Sequence, residues 1–116
     1  FDADGRQMLL ITTDESVLND AWSGVTAAGQ FEIRPPAVVV LGARFDATLA
    51  RYPSGSTLVW RDAGVALGAL HLAATAASLG SCILGTAGLL SKGLLGACGL
   101  AGNLVGDVGC VSVGGR

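Results

Sequence analysis

Four places in the sequence carry groups able to do chemistry. The first is Arg51-Tyr52, the chain's single tyrosine with a guanidinium beside it. Tyrosine is a poor base at neutral pH unless a neighbouring cation favours its phenolate, and arginine gives up no proton. The pair reads either as a base with an electrostatic helper or as a surface arginine beside a half-buried tyrosine. The second is His71, the single histidine, among Leu and Ala with no other histidine or carboxylate near it in sequence. That setting fits a hydrogen-bonded core histidine. The third is Cys82. No positive charge stands near it in sequence to favour a thiolate, so it reads as a small buried filler. The fourth is Gly80-Ser81-Cys82-Ile83-Leu84-Gly85, read as a short apolar loop whose backbone could hold a flat, largely apolar ligand. There is no phosphate-binding glycine loop, dinucleotide fingerprint or serine-nucleophile elbow.

The elements that would position these groups follow from patterning. Met8–Thr12 reads as a strand after the Asp4-Gly5 turn signal. Residues 15–28 read as an amphipathic helix capped by Asp14, with Val17, Leu18, Ala21, Trp22 and Val25 at helical spacing and Gly29 as its stop. Ala37–Leu41 is a continuous apolar run that suits a central strand buried on both faces. Residues 42–57 are mixed and carry Pro53-Ser54-Gly55, a loop signal. A helix over 60–79 follows, with Asp62 near its start to suit the helix dipole. On it Gly64 and Gly68 form one small-residue ridge, and Ala69, Ala73 and Ala77 another. Such ridges admit a second helix closely, either within the chain or across a subunit interface. Residues 87–101 read as one or two short helices, and Val108–Val113 as a last strand. The expected order is β-α-β-α-α-β, in one α+β domain.

Composition narrows the classes. The chain has 116 residues, 18 of them glycine, and a net charge of −2, so no polyanion-binding surface is implied. Three cysteines without metal-ligand spacing argue against a disulfide scaffold or a zinc site and favour a reducing compartment, the cytoplasm. The uncharged stretch Ala63–Ser91 is long enough to raise a membrane hairpin as a reading. Its five glycines between 64 and 88, with His71, favour a buried helix and turn. The chain begins at Phe1 and ends at Arg116 just after a strand-like run, as a segment of something larger or a chain needing a partner would.

Taken in order, these segments resemble flavin-dependent nitroreductase-fold proteins. Asp62, Gly64, Leu70, Leu72, Ala73, Ala74, Leu79, Gly80 and Ser81 match the long central helix of that family and the turn after it. Phe1–Leu9, Pro36–Leu41 and Val111–Gly114 are similar to flanking pieces of its SagB-type branch, the azoline dehydrogenases. The resemblance implies a partial nitroreductase-like fold that binds FMN and oxidises a thiazoline or oxazoline ring in a peptide, or a similar small molecule. It places Arg51-Tyr52 where the family has Lys-Tyr, with Tyr52 as base and Arg51 as its helper. It puts the flavin edge along Ser81, Cys82, Ile83, Leu84, Gly85 and Thr86, with a backbone N–H within Ile83–Thr86 reaching N5, and leaves Arg116 as the basic residue near the phosphate.

The sequence departs from the family in two ways. Arginine replaces the lysine of the pair, and the family's N-terminal half, with its R-x-S-x-R phosphate-binding element, has no counterpart here. A second chain carrying that half, or a homologous flavoprotein subunit, is therefore the implied partner in an oligomer. Three readings follow: part of an FMN dehydrogenase, a non-catalytic scaffold beside an active homologue, or a small membrane hairpin across 63–101.

Overall fold

The computed structural model describes residue 8 and residues 10–85 and 92–115. Among them the chain forms α1 (Glu15–Gly29), β1 (Ala37–Arg44), α2 (Phe45–Leu49), α3 (Gly55–Ala76), β2 (Gly80–Leu84), α4 (Lys92–Ala97) and β3 (Val105–Gly114). The three strands make one antiparallel sheet in the order β1-β3-β2. The class is α+β, as the patterning predicts, but the element order differs.

α1 forms where its cap predicts. The Asp14 carboxylate accepts from the Ser16 N–H at 2.9 Å and the Ser16 hydroxyl at 2.7 Å, meeting a donor that the first turn leaves unpaired. Gln30, at φ 50°, ends the helix. The strand expected at Met8–Thr12 does not form: Met8 and Leu10–Thr12 lie in no regular element, and Met8 and Leu10 are exposed. Apolar residues alone do not make a strand without a partner edge.

β1 is an edge strand, which corrects the expectation that Ala37–Leu41 is central. The centre belongs to β3, where Val108–Ser112 are all buried. Small residues hide this in sequence. VGDVGCVSVG lacks the bulky run of a central strand because helices approach it on both faces. Gly109 shows how closely: it stands against Leu67 of α3 with φ +135°, a conformation suited to glycine. The ladder slips between Leu41 and Gly42, where Gly109 and Asp107 are the partners and Val108 is the extra residue of a bulge.

The sheet carries apolar rows on both faces. Val40, Cys110 and Leu84 lie side by side in register and pack with Val25 and Trp22 of α1, Phe31 and Val38. Strand alternation puts Gly109 and Val111 on the opposite face, under α3, whose buried residues Ala63, Leu67 and Ala74 recur at helical spacing. The mixed stretch 42–57 holds the end of β1, α2 and the start of α3, with Pro53-Ser54 in the turn before α3. Phe45 of α2 meets Trp60 of α3 with ring centroids 6.1 Å apart.

α3 has 22 residues. It starts five residues earlier and stops three earlier than the sequence pattern predicts. Asp62 therefore sits beyond the first turn, where the helix dipole is weak, and pairs instead with Arg61 at 2.9 Å on the surface. The helix closes with Leu79 N–H donating to Ala74 C=O (2.9 Å) and Ser78 N–H to Thr75 C=O (3.0 Å). Ser78 takes the left-handed position, φ 59°, that glycine usually fills. Among the described residues nothing packs on the Gly64–Gly68 ridge: outside the helix's own backbone, no atom lies within 4 Å of where either glycine would carry a Cβ. Beside it Val65 and Leu72 are each 69% exposed.

Candidate functional site

Arg51 and Tyr52 form the turn between α2 and α3. Both backbone N–H groups donate to the Thr48 carbonyl, at 3.1 and 3.0 Å, and the Gly55 N–H donates to the Tyr52 carbonyl at 3.0 Å. The backbone is thus fixed while both side chains remain exposed, Tyr52 at 48%.

The segment Gly80–Leu84 is a strand rather than a loop. Its residues pair with Gly114 back to Cys110, so every second set of backbone groups is spent on β3. Its other edge meets no strand among the described residues. Cys82 is exposed, against the expectation of a buried filler, because it lies on an edge strand. Ile83 is also exposed, whereas Leu84 is buried in the core beside Cys110. Gly85 follows the strand, exposed, with its carbonyl 3.9 Å from the Cys110 sulfur. Thr86 and Arg116 lie outside the described residues.

Among the described residues, Arg51-Tyr52 and β2 lie at different places along α3. A helix rises 1.5 Å per residue, so α3 is about 33 Å long. β2 folds back along it: Leu84 pairs with Cys110, next to the Gly109 that meets Leu67. From Leu67 the helix continues about 18 Å to its start at Gly55, and Tyr52 lies beyond that start.

A different pair is brought together. Ser81 Oγ lies 2.8 Å from His71 Nδ1, partly buried between β2 and α3. His71 is thus hydrogen-bonded, as its apolar setting predicts, but its partner was not read from sequence. The signal was the spacing: a helix end, a three-residue turn and a strand fold Ser81 back onto the last full turns of the helix.

At the same end of the sheet, Pro36, Gly80, Ser81, Cys82, Ser112 and Gly114 border a cleft of about 410 Å³. The cation beside it is Arg34, whose guanidinium lies 5.2 Å from the Trp22 ring centroid and 3.4 Å from Asn19 Oδ1. A second groove, about 290 Å³, runs between the β1 bulge and α3, with Leu41, Val59, Asp62 and Ala66 on its walls. Neither includes Arg51 or Tyr52. Burial pushes the Cys110 thiol up from its ordinary value, helped by Asp107 and by Cys82. Among the described residues no cluster of three or more His, Cys, Asp or Glu could hold a metal.

No family model, curated protein or solved structure matches the chain.

For the flavin, the described residues offer an exposed strand edge and the Gly85 backbone, suited to lying along a ring. Of the described cations, Arg44 and Arg61 are held by Asp46 and Asp62, Arg34 stacks on Trp22, and Arg51 and Lys92 are exposed. Arg116, which the resemblance places near the phosphate, lies outside the described residues.

Proposed function

We propose that this chain is the C-terminal half of a nitroreductase-fold, FMN-dependent dehydrogenase, completed by a second chain. Its substrate would be a peptide-derived azoline or a similar small heterocycle. The observation that carries the reading is the sequence of α3, tight turn and open-edged β2, with the outward face of α3 uncovered. Exposed Val65 and Leu72 beside Gly64 and Gly68 would give an interface an apolar place on α3.

FMN, when bound, would accept the hydride. Tyr52 would take the substrate proton, with Arg51 next to it in the turn. On this reading the Tyr52 of one chain would serve a ring edge held by another. The test is co-purification of the chain with a candidate partner carrying the N-terminal half. A yellow complex whose turnover falls at least tenfold on Tyr52→Phe supports the reading. A colourless complex, or none, overturns it.

A scaffold subunit is the second reading, favoured by the same separation of Tyr52 from β2. It predicts that Tyr52→Phe leaves turnover of the assembled complex unchanged. The membrane hairpin finds no support: among the described residues no helix is long and apolar enough to cross a membrane, and residues 80–84 of the proposed hairpin are a sheet strand.

A further inference from the structure

We propose that the space between α1, β1 and α4 is a binding pocket for a small uncharged hydrocarbon of one or two rings. Its described walls include no residue of β2 and neither Arg51 nor Tyr52, so it does not rest on the reading above. Leu18, Ala21, Trp22 and Val25 of α1, with Val38 and Val40 of β1, border about 180 Å³, and Leu94 of α4 closes a third side. The wall positions follow from the elements. Residues 18, 21, 22 and 25 recur at i, i+3, i+4 and i+7, which is one face of a helix. Val38 and Val40 are two apart on β1 and point to the same side of the sheet, where Val40 meets Val25. Pairing with Ser112 and Cys110 fixes both valines in the ladder. Val25, only 3% exposed, is wedged between helix and sheet and keeps them apart. The Arg34 guanidinium, 5.2 Å from the Trp22 ring centroid and 3.4 Å from Asn19 Oδ1, holds the indole in place. Ala21 is the one small member of the α1 stripe, and the room it leaves is part of the pocket.

The lining decides the class of ligand. Every described side chain on it is aliphatic or aromatic, so water inside would give up hydrogen bonds and gain few. Left empty, the pocket forfeits dispersion contacts along its walls. A molecule without polar groups restores those contacts and has no hydrogen bonds of its own to lose, whereas a charged group would be stripped of water without replacement. At the packing density of protein interiors, about 0.74, the space takes a molecule of about 130 Å³, the size of an alkylbenzene or a two-ring hydrocarbon. The flat Trp22 ring favours an aromatic ligand, which can stack offset against it or meet it edge to face.

The test titrates the 116-residue chain, isotope-labelled at its valine and leucine methyls, with toluene and separately with benzoate, and follows the methyl resonances by NMR. Toluene should give saturable shifts, largest at Leu18, Val25, Val38, Val40 and Leu94, and should raise the melting temperature as a ligand of the folded state does. Benzoate, with the same ring and a charge, should bind at least tenfold more weakly. Ala21→Leu puts a side chain into the space and should weaken toluene binding at least tenfold. Circular dichroism reports whether that variant keeps its fold; if it unfolds, the methyl map of the unaltered chain still decides. The absence of saturable toluene shifts, shifts spread evenly over the core, equal binding of benzoate, or a folded Ala21→Leu that binds toluene as before overturns the proposal.

Discussion

Leu67 on α3 fills the space that a side chain at Gly109 would need: a Cβ there would stand 2.7 Å from Leu67 Cδ1, on a backbone at φ +135°. This contact sets how closely α3 lies on the central strand. Gly109→Ala meets both the left-handed φ and the overlap, each costing on the order of 1–3 kcal/mol. Urea unfolding should show a loss of about 2 kcal/mol or more. Leu67→Ala alone should cost about 2–5 kcal/mol. The double variant should lose less than the two added together, because truncating Leu67 makes room for the new methyl. Strict additivity in that cycle would count against the contact.

Asp14 links α1 to pH. The Ser16 hydroxyl, then the Ser16 N–H, hold its carboxyl below the ordinary 3.8. A group with a lowered folded value stabilises fully above its unfolded value and loses that contribution as pH falls through the folded one. Melting temperature should therefore be insensitive to this residue's titration near neutral pH and should drop below pH 3.8. Asp14→Ala should melt lower at pH 7 and show a shallower acid limb. Parallel acid limbs in the two proteins would contradict the cap.

The three thiols should separate by reactivity. Cys82 and Cys98 are exposed and Cys110 is buried, its thiol further held protonated by burial. Under native conditions a thiol reagent should titrate two groups rapidly and the third only on denaturation. Peptide mapping should place that third label on Cys110.

Gly64→Ala and Gly68→Ala each add a methyl to open space on α3. In the chain alone each should raise stability by about 0.5–1 kcal/mol, the ordinary gain of alanine over glycine in a helix. If a partner packs on this face, the same substitutions should weaken the assembled complex. Stability rising in the chain and in the complex alike would remove α3 as the interface.

How far the sequence could be read depended on whether a signal was local. Asp14 opens α1 where the sequence places it because an N-cap acts within one turn; the stop falls one residue past Gly29, at Gln30. The class and the long α3 were legible from periodicity. Its start at Gly55 was not, because Pro53-Ser54-Gly55 punctuates like a loop although the helix begins on its last residue. The rank of the strands was misread for a physical reason. Bulky β-branched residues mark β1 although it lies at the edge of the sheet. β3 lies between two helices and uses glycine, cysteine and serine that carry little signal. The site shows the same division. Arg51-Tyr52 is adjacent in sequence and was visible, while Ser81 and His71 meet only through a chain reversal.

The position of β3 also governs when the molecule can take shape. β1 and β2 touch each other nowhere in the sheet; both wait for Val105–Gly114. During synthesis AVVVL leaves the ribosome with no strand to pair, and more than sixty residues must follow before its partner appears. The sheet is therefore assembled after β3 has emerged, not as the chain grows. Until then β1 is an unprotected apolar segment of the kind that chaperones hold and that crowded nascent chains share with one another.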